Sequence, residues 1–118
     1  LFRSLAFLDT AGDVEGHTLV IPKAHVGSMK DCGEETALQL AGTVRLIADH
    51  YVESCGFDGV NILCASGKSA QQSVPHLHFH IIPRKEGDGL NAWPALGKDS
   101  HSLEETAQRL RLPTPENT

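Results

Sequence analysis

The chain has 118 residues, of which 40% are hydrophobic and 21% are charged. These values are typical of one globular domain and leave no room for a second. Ten basic and fifteen acidic residues give a net charge of −5 with neutral histidines. This balance argues against a nucleic-acid-binding surface and against a polybasic membrane anchor. Since no apolar run approaches the ~18 residues of a membrane span, we expect neither nucleic acid nor membrane as a partner.

The cysteines indicate the compartment. Cys32, Cys55 and Cys64 are odd in number and form no Cys-x-x-Cys pair. This spacing encodes neither a disulfide framework nor a self-contained zinc knuckle. The amino-terminal residues do not have the pattern of a signal peptide. Reduced thiols therefore predict a cytoplasmic location.

The hydrophobic periodicity predicts six elements. In chain order these are strands at 4–8 and 16–22, a helix at 34–54, strands at 57–64 and 74–83, and a short helix that follows Ser102. The long helix has apolar residues at i, i+3 and i+4, and the short one opens with a capping box, Ser102 to Glu105. The order predicts an α+β fold, in which an antiparallel β-sheet packs with one long α-helix and a short C-terminal helix. We expect one domain over 1–112 and a flexible tail at 113–118.

Two further expectations concern packing. Four apolar residues in or beside the predicted strands are assigned to the core rather than to a ligand pocket: Leu5, Phe7, Phe57 and Ile62. The segment 87–97 contains the only tryptophan, Trp93, and is predicted to be irregular.

Three of the seven histidines occupy alternate positions in five residues. In a strand, this spacing places His76, His78 and His80 on one face and the intervening apolar residues on the other. Solvent-facing positions can hold histidine without any function, and three imidazoles on a strand can also form an open Zn²⁺ site. In a third interpretation, a neutral imidazole attacks phosphorus while its second nitrogen donates its proton to a fixed acceptor.

Other residues could complete a phosphoryl-transfer site. His17 begins the second predicted strand and offers a fourth imidazole. The loop that enters the histidine motif contains small and polar residues that could hold a phosphate, namely Ser66, Gly67, Lys68, Gln72 and Ser73. Asp9 could bind a ribose hydroxyl or simply cap its own turn.

Two parts of the chain resemble the two motifs of the histidine triad (HIT) superfamily of nucleotide hydrolases and transferases. One is the segment His76-Leu77-His78-Phe79-His80-Ile81-Ile82, and the other is the upstream Ala6-Phe7-Leu8-Asp9 followed by 16–23. The resemblance covers about residues 4–112. Within the superfamily, the chain is similar to the bacterial members related to the nucleoside phosphoramidase (Hint-like) branch. It implies the HIT-like fold and a purine nucleotide substrate that is hydrolysed at its α-phosphorus.

The resemblance also implies residue roles. His78 is the nucleophile that forms a nucleotidyl-histidine, His76 and His80 flank it, and His17 supports the histidine network. Ser73 is expected at the leaving group. The expected nucleotide-binding residues are Asp9, Gln72, Ser66 and Gly67.

No cofactor is required for catalysis in this family, and no metal-binding residue is assigned. A structural zinc is expected only if a Cys pair precedes Leu1, with His50 and His76 as candidate partners. The family pattern implies a homodimer. Two positions depart from that pattern: Gln71 stands where glycine is usual, and Ala65 where asparagine is usual.

Three function classes remain open from the sequence. The first is an enzyme of this family, whose leaving group is an amine or, in a dinucleoside polyphosphate hydrolase, a phosphate chain. The second is a nucleotide-binding or partner-binding module with little turnover, which the two departures make conceivable. The third is a metallohydrolase.

Overall fold

The computed structural model describes residues 3–114. It contains the strands β1 (Ser4–Leu8), β2 (Thr18–Pro22), β3 (Gly59–Leu63) and β4 (Phe79–Arg84), and the helices α1 (Glu34–Ser54) and α2 (Leu103–Leu110). Single turns of 3-10 helix lie at Met29–Asp31 and Lys68–Ala70. The predicted α+β fold, with its antiparallel sheet, one long helix and a short C-terminal helix, is confirmed.

The four strands form one antiparallel sheet in the order β1-β2-β4-β3. Leu19 of β2 pairs with His80 of β4, and His80 pairs in turn with Leu63 of β3. Directly paired residues have side chains on the same face of a sheet. The register therefore places the last histidine of the motif in the middle of the sheet, on the strand that both neighbours contact.

The core lies between α1 and one face of the sheet. Its fully buried members include Leu40 of α1, Val20 of β2 and Ile81 of β4. Val44 follows Leu40 by one helical turn and is also buried, because residues four apart share a helix face. Leu77 joins them from the segment before β4.

The predicted core assignment of four apolar residues is wrong for three of them. Leu5, Phe7 and Ile62 are each exposed over nearly half of their surface. Leu5 and Phe7 alternate with Ala6, which packs against the core, so their side chains lie on the sheet face opposite α1. Ile62 lies on an edge strand. Phe57 is half-buried and contacts Tyr51 instead of the main core cluster.

The histidine strand begins later than predicted. Hydrogen-bonded pairing starts at Phe79, so His76 and His78 precede the strand. Pro75 has no N–H to donate to a ladder, and the amide of Leu77 donates to the carbonyl of Val26, outside the sheet. The alternation itself survives, because Leu77 and Ile81 are buried on the core side. The strands at β2 and β3 are likewise shorter than the predicted 16–22 and 57–64.

The predicted irregular segment at 87–97 contains no strand or helix, and Trp93 is largely exposed. At the start of α2, the amide of Glu105 donates to Ser102 Oγ, as the capping box predicts. The predicted tail at 113–118 lies partly outside the described residues. None of the helices in residues 3–114 combines the length and the hydropathy that crossing a bilayer requires.

Candidate active site

The sheet brings His17 and His80 together. The amide of Asp9 donates to the carbonyl of His17, which extends the pairing of β1 and β2 by one residue. Gly16 precedes His17 with φ +77°, and a Cβ on it would meet Pro83 Cγ at 2.9 Å. A glycine therefore permits the close approach that presents His17 beside β4.

A chain of hydrogen bonds runs through these histidines. His17 Nε2 lies 2.9 Å from His80 Nδ1, and His17 Nδ1 lies 3.0 Å from Asp13 Oδ1. Asp9 Oδ2 is 3.7 Å from the same His17 Nδ1, too far for a hydrogen bond but close enough for attraction. The side chain of His17 is only 9% exposed. The sequence-predicted residues Asp9, His17 and His80 thus form one cluster.

His78 has the orientation that a nucleophilic imidazole requires. Its Nδ1 lies 2.8 Å from the backbone carbonyl oxygen of His76, and a carbonyl only accepts hydrogen bonds. Nδ1 therefore carries the proton, and the lone pair of the neutral ring is on Nε2. The ring packs edge-on against His80, with 4.9 Å between centroids. The backbone therefore fixes the tautomer of the His78 ring and leaves its Nε2 unprotonated.

The electrostatics of the cluster favour a neutral His80. Burial lowers the pKa of His80, and the neighbouring His78 and His17 lower it further, while Asp9 and Asp13 act in the opposite direction. The hydrogen bond from His17 lowers the pKa of the Asp13 carboxyl. Asp13 therefore remains ionised and acts as an acceptor.

Asp9, His17 and His80 each offer a potential ligand atom, and these atoms lie within 4.8 Å of one another. His17 and His80, however, use facing nitrogens for their mutual hydrogen bond. The second nitrogen of His17 faces Asp13. These partners make the group a hydrogen-bond chain rather than a set of ligands directed at one point.

His76 lies next to His25 rather than among the other triad rings. Their Nδ1 atoms are 3.3 Å apart, and His76 Nε2 is buried without a hydrogen-bond partner among the described residues. Two imidazole nitrogens at this separation fit neighbouring ligands of one tetrahedral zinc. The ring contact of His50 is with Tyr51, so the zinc partner that the geometry favours for His76 is His25. Within residues 3–114, no third His, Cys, Asp or Glu atom completes a cluster with them.

The loop before the motif is held by its own hydrogen bonds. Gln72 Oε1 accepts from the amide of Gly67, and Gln72 Nε2 donates to the carbonyls of Gly27 and Val74. Ser66 Oγ accepts from the amide of Met29. The structure thus gives Gln72, Ser66 and Gly67 roles in positioning the loop, and their contact with a nucleotide stays a prediction.

Gln71 is the only non-glycine residue with positive φ in the described part of the chain, at φ 69° and ψ 29°. L-residues other than glycine pay an energetic cost in this left-handed region. The position is the one at which the family pattern has glycine. The glutamine that stands in place of the usual glycine therefore strains the backbone locally.

Ser73 and Asp9 differ in how they are engaged. Ser73 is exposed, and its hydroxyl makes no hydrogen bond within residues 3–114. Asp9 Oδ1 accepts from the amide of Ala11 at 2.8 Å. Asp9 therefore caps its turn, one of the two roles considered from the sequence, and its second oxygen is turned towards His17.

Two participants were missed from the sequence. Neither Asp13 nor His25 carries a sequence signal that marks it as a site residue. Asp13 lies four residues before His17, but no secondary-structure rule relates loop residues at that spacing. The contact between His25 and His76 spans 51 residues, and local patterns carry no information on such a pairing.

The fold and the histidine cluster define a protein of the histidine triad class. The model of the HIT domain family matches residues 2–87, and the chain belongs to this family. It is 37% identical to the adenylylsulfatase HINT3 of Arabidopsis thaliana over 90% of this chain and 54% of the relative. It is 39% identical to the adenosine 5′-monophosphoramidase hnt1 of Schizosaccharomyces pombe over 78% of this chain and 68% of that protein.

Among solved structures, a HIT family member from Bacillus subtilis superposes with a TM-score of 0.76 at 36% identity, covering 96% of this chain and 84% of that one. This similarity agrees with the fold described above. The chain spans between 54% and 68% of the length of the two sequence relatives given above.

Proposed function

We propose that the protein is a hydrolase of nucleoside 5′-phosphoramidates that acts through a covalent nucleotidyl-His78 intermediate. The observation that supports this best is the hydrogen bond from His78 Nδ1 to the carbonyl oxygen of His76 at 2.8 Å. It leaves Nε2 with its lone pair, so the ring can attack phosphorus without first losing a proton.

The reaction divides into two displacements. In the first, His78 Nε2 forms a bond to the α-phosphorus while the bond to the leaving nitrogen breaks, and the leaving amine takes up a proton that the exposed Ser73 hydroxyl relays from solvent. The ring becomes cationic, and the carbonyl of His76 stabilises this cation because Nδ1–H remains directed at it. In the second, water attacks phosphorus and gives up a proton to solvent, the bond to Nε2 breaks so that His78 returns to its neutral form, and the nucleoside monophosphate is released.

The leaving group is the open part of this proposal. One relative is named an adenosine 5′-monophosphoramidase and another an adenylylsulfatase, which makes amines and sulfate the first candidates. A phosphate chain, as in a dinucleoside polyphosphate, is the remaining one. The exposed Ser73, placed before the histidines, favours an amine, because an amine must be protonated as its bond breaks.

The intermediate can be tested by mass spectrometry. The protein is mixed with adenosine 5′-phosphoramidate, quenched in base and digested, because phosphohistidine-type bonds survive base better than acid. We expect an AMP adduct on the peptide that contains His78, and none in His78→Ala. His101→Ala, which alters an exposed histidine of the C-terminal region, serves as the matched control and should keep the adduct. Turnover without any adduct would contradict covalent catalysis, and nucleotide binding without turnover would favour the binding module.

The assembly that we propose is a homodimer. β1 and β3 are the outer strands of the sheet within the described residues, and Ile62 on β3 exposes nearly half of its surface. Open edges of this kind are commonly paired or covered. Light scattering at micromolar concentration should give twice the monomer mass, and a monomer mass would refute the dimer. The three unpaired cysteines fit a cytoplasmic protein.

Catalysis is proposed to need no metal, whereas His25 and His76 could hold a structural zinc if further ligands are supplied. Their facing Nδ1 atoms are the observation behind this distinction. Treatment with a chelator, followed by metal analysis and an activity assay, separates the roles. Loss of metal with retained turnover is the expected result, and loss of both at an unchanged melting temperature would favour a metallohydrolase.

A further inference from the structure

The loop carboxylate Asp13 determines how the hydrogen-bonded pair of His17 and His80 can be protonated. The ionised Asp13 can only accept, so the 3.0 Å contact requires a proton on His17 Nδ1. In a neutral His17 the lone pair is then on Nε2, and the 2.9 Å contact to His80 requires that His80 Nδ1 donates. The tautomers of both rings follow from one carboxylate.

The same chain can hold one additional proton. If the proton on His80 Nδ1 moves to His17 Nε2, His80 Nε2 can take up a proton while His80 stays neutral. The positive charge then resides on His17, which contacts Asp13 and lies near Asp9. His80 thereby changes from an acceptor to a donor at Nε2 without carrying the charge itself.

We propose that Asp13 is a positioning residue of the nucleotidyl-transfer site, which fixes the tautomer of His17 and stabilises its protonated form so that His80 can donate a hydrogen bond to the substrate. This rests on the proposed function, and it assigns a role to a residue outside the histidine motif. Asp13 acts through His17 and does not itself contact the nucleotide.

The groups around His17 support this distribution of charge. Asp13 and Asp9 face its Nδ1, and His80, with His78 behind it, faces its Nε2. Two carboxylates thus lie on the Nδ1 side of His17, whereas burial holds the pKa of His80 below its usual range. Because the side chain of Asp13 is 53% exposed, solvent screens part of its effect.

The proposal is tested first without any turnover. Long-range ¹⁵N–¹H NMR correlations report the tautomer and the pKa of each histidine. We expect an Nδ1–H tautomer for His17 in the wild type, and in Asp13→Asn a decrease of about 0.5 to 1 unit in the pKa of the His17–His80 pair. Glu15→Gln removes an equal charge from the same exposed loop without a hydrogen bond to His17, so its shift should stay within about 0.2 unit.

The second readout is the pH profile of phosphoramidate hydrolysis. Because Asp13 raises the proton affinity of the pair, Asp13→Asn should lose activity at a lower pH than the wild type. The defect should appear in kcat rather than KM and should shrink as the pH is lowered. Thermal melting checks that the exposed loop substitution leaves the fold intact.

The outcomes separate the two proposals. An unchanged tautomer and pKa in Asp13→Asn, or an equal shift in Glu15→Gln, would overturn the role of Asp13 even if the protein hydrolyses phosphoramidates. A shifted pKa in a protein without any turnover would refute the proposed function and leave the control of His17 by Asp13 standing. A rate loss that is constant at every pH would mean that Asp13 only maintains the loop.

Discussion

The histidine cluster and the loop at 65–73 are positioned by different means. The cluster depends on sheet register, since the pairing of β2 with β4 brings His17 Nε2 to 2.9 Å from His80 Nδ1 across 63 residues of sequence. The loop is held by hydrogen bonds of its own side chains: Gln72 bonds to Gly67 and Val74 nearby in the sequence, and Gln72 and Ser66 bond to the segment at 27–29. Substitutions of the cluster histidines should therefore impair the attack on phosphorus, whereas those in the loop should change leaving-group protonation, binding and stability.

The largest effect is expected in the cluster. His78→Ala should reduce kcat by about a thousandfold or more while nucleotide affinity is largely retained, because the substitution removes the proposed nucleophile and little contact surface. Steady-state kinetics and AMP titration measure the two quantities. The exposed His101→Ala is the control and should keep full activity. A His78→Ala variant with more than about a tenth of the wild-type rate would rule out this nucleophile.

The next effect tests whether the loop takes part in proton transfer. Ser73→Ala should slow a phosphoramidate far more than a diadenosine polyphosphate, because a polyphosphate leaves as a stable anion. General acid catalysis contributes about 10²- to 10⁴-fold, so the gap between the substrates should exceed about tenfold. Ser69→Ala in the same loop is the matched control. Equal slowing of both substrates would reduce Ser73 to a binding contact.

A smaller effect, on nucleotide affinity, is expected for Asp9 in the loop before β2. If Asp9 binds ribose, Asp9→Ala should weaken AMP by about 1 to 3 kcal/mol more than 2′,3′-dideoxy-AMP. The carboxylate also accepts from Ala11, so any loss common to both nucleotides reports the turn. Calorimetry with the two ligands separates these contributions. Identical losses would assign Asp9 to the turn alone.

The sequence could predict the elements and the identity of the histidines, because both depend on local periodicity. α1 was placed correctly from Glu34 to Ser54, and β1 from Ser4 to Leu8. The start of β4 differs from the prediction because the amide of Leu77 donates to the carbonyl of Val26, a contact across 51 residues. Asp13 was missed for a similar reason, since a loop conformation decides which carboxylate reaches His17. Exposure of Leu5 and Phe7 depends on which sheet face α1 covers, and alternation alone does not specify that face.

The smallest effect isolates the strain in the loop. Gln71→Gly should raise the free energy of unfolding by about 0.5 to 1 kcal/mol, because glycine adopts φ 69° without the Cβ clash that glutamine suffers. The greater flexibility of glycine in the unfolded chain offsets part of this gain. Ser69→Gly, in the adjacent 3-10 turn and without positive φ, has no strain to relieve and should destabilise by a similar amount. Urea unfolding at constant m-value measures both changes. If the two variants change the free energy of unfolding in opposite directions, strain at Gln71 rather than general loop flexibility sets the stability of this segment. If both variants are destabilised, the surrounding hydrogen bonds accommodate Gln71 without cost.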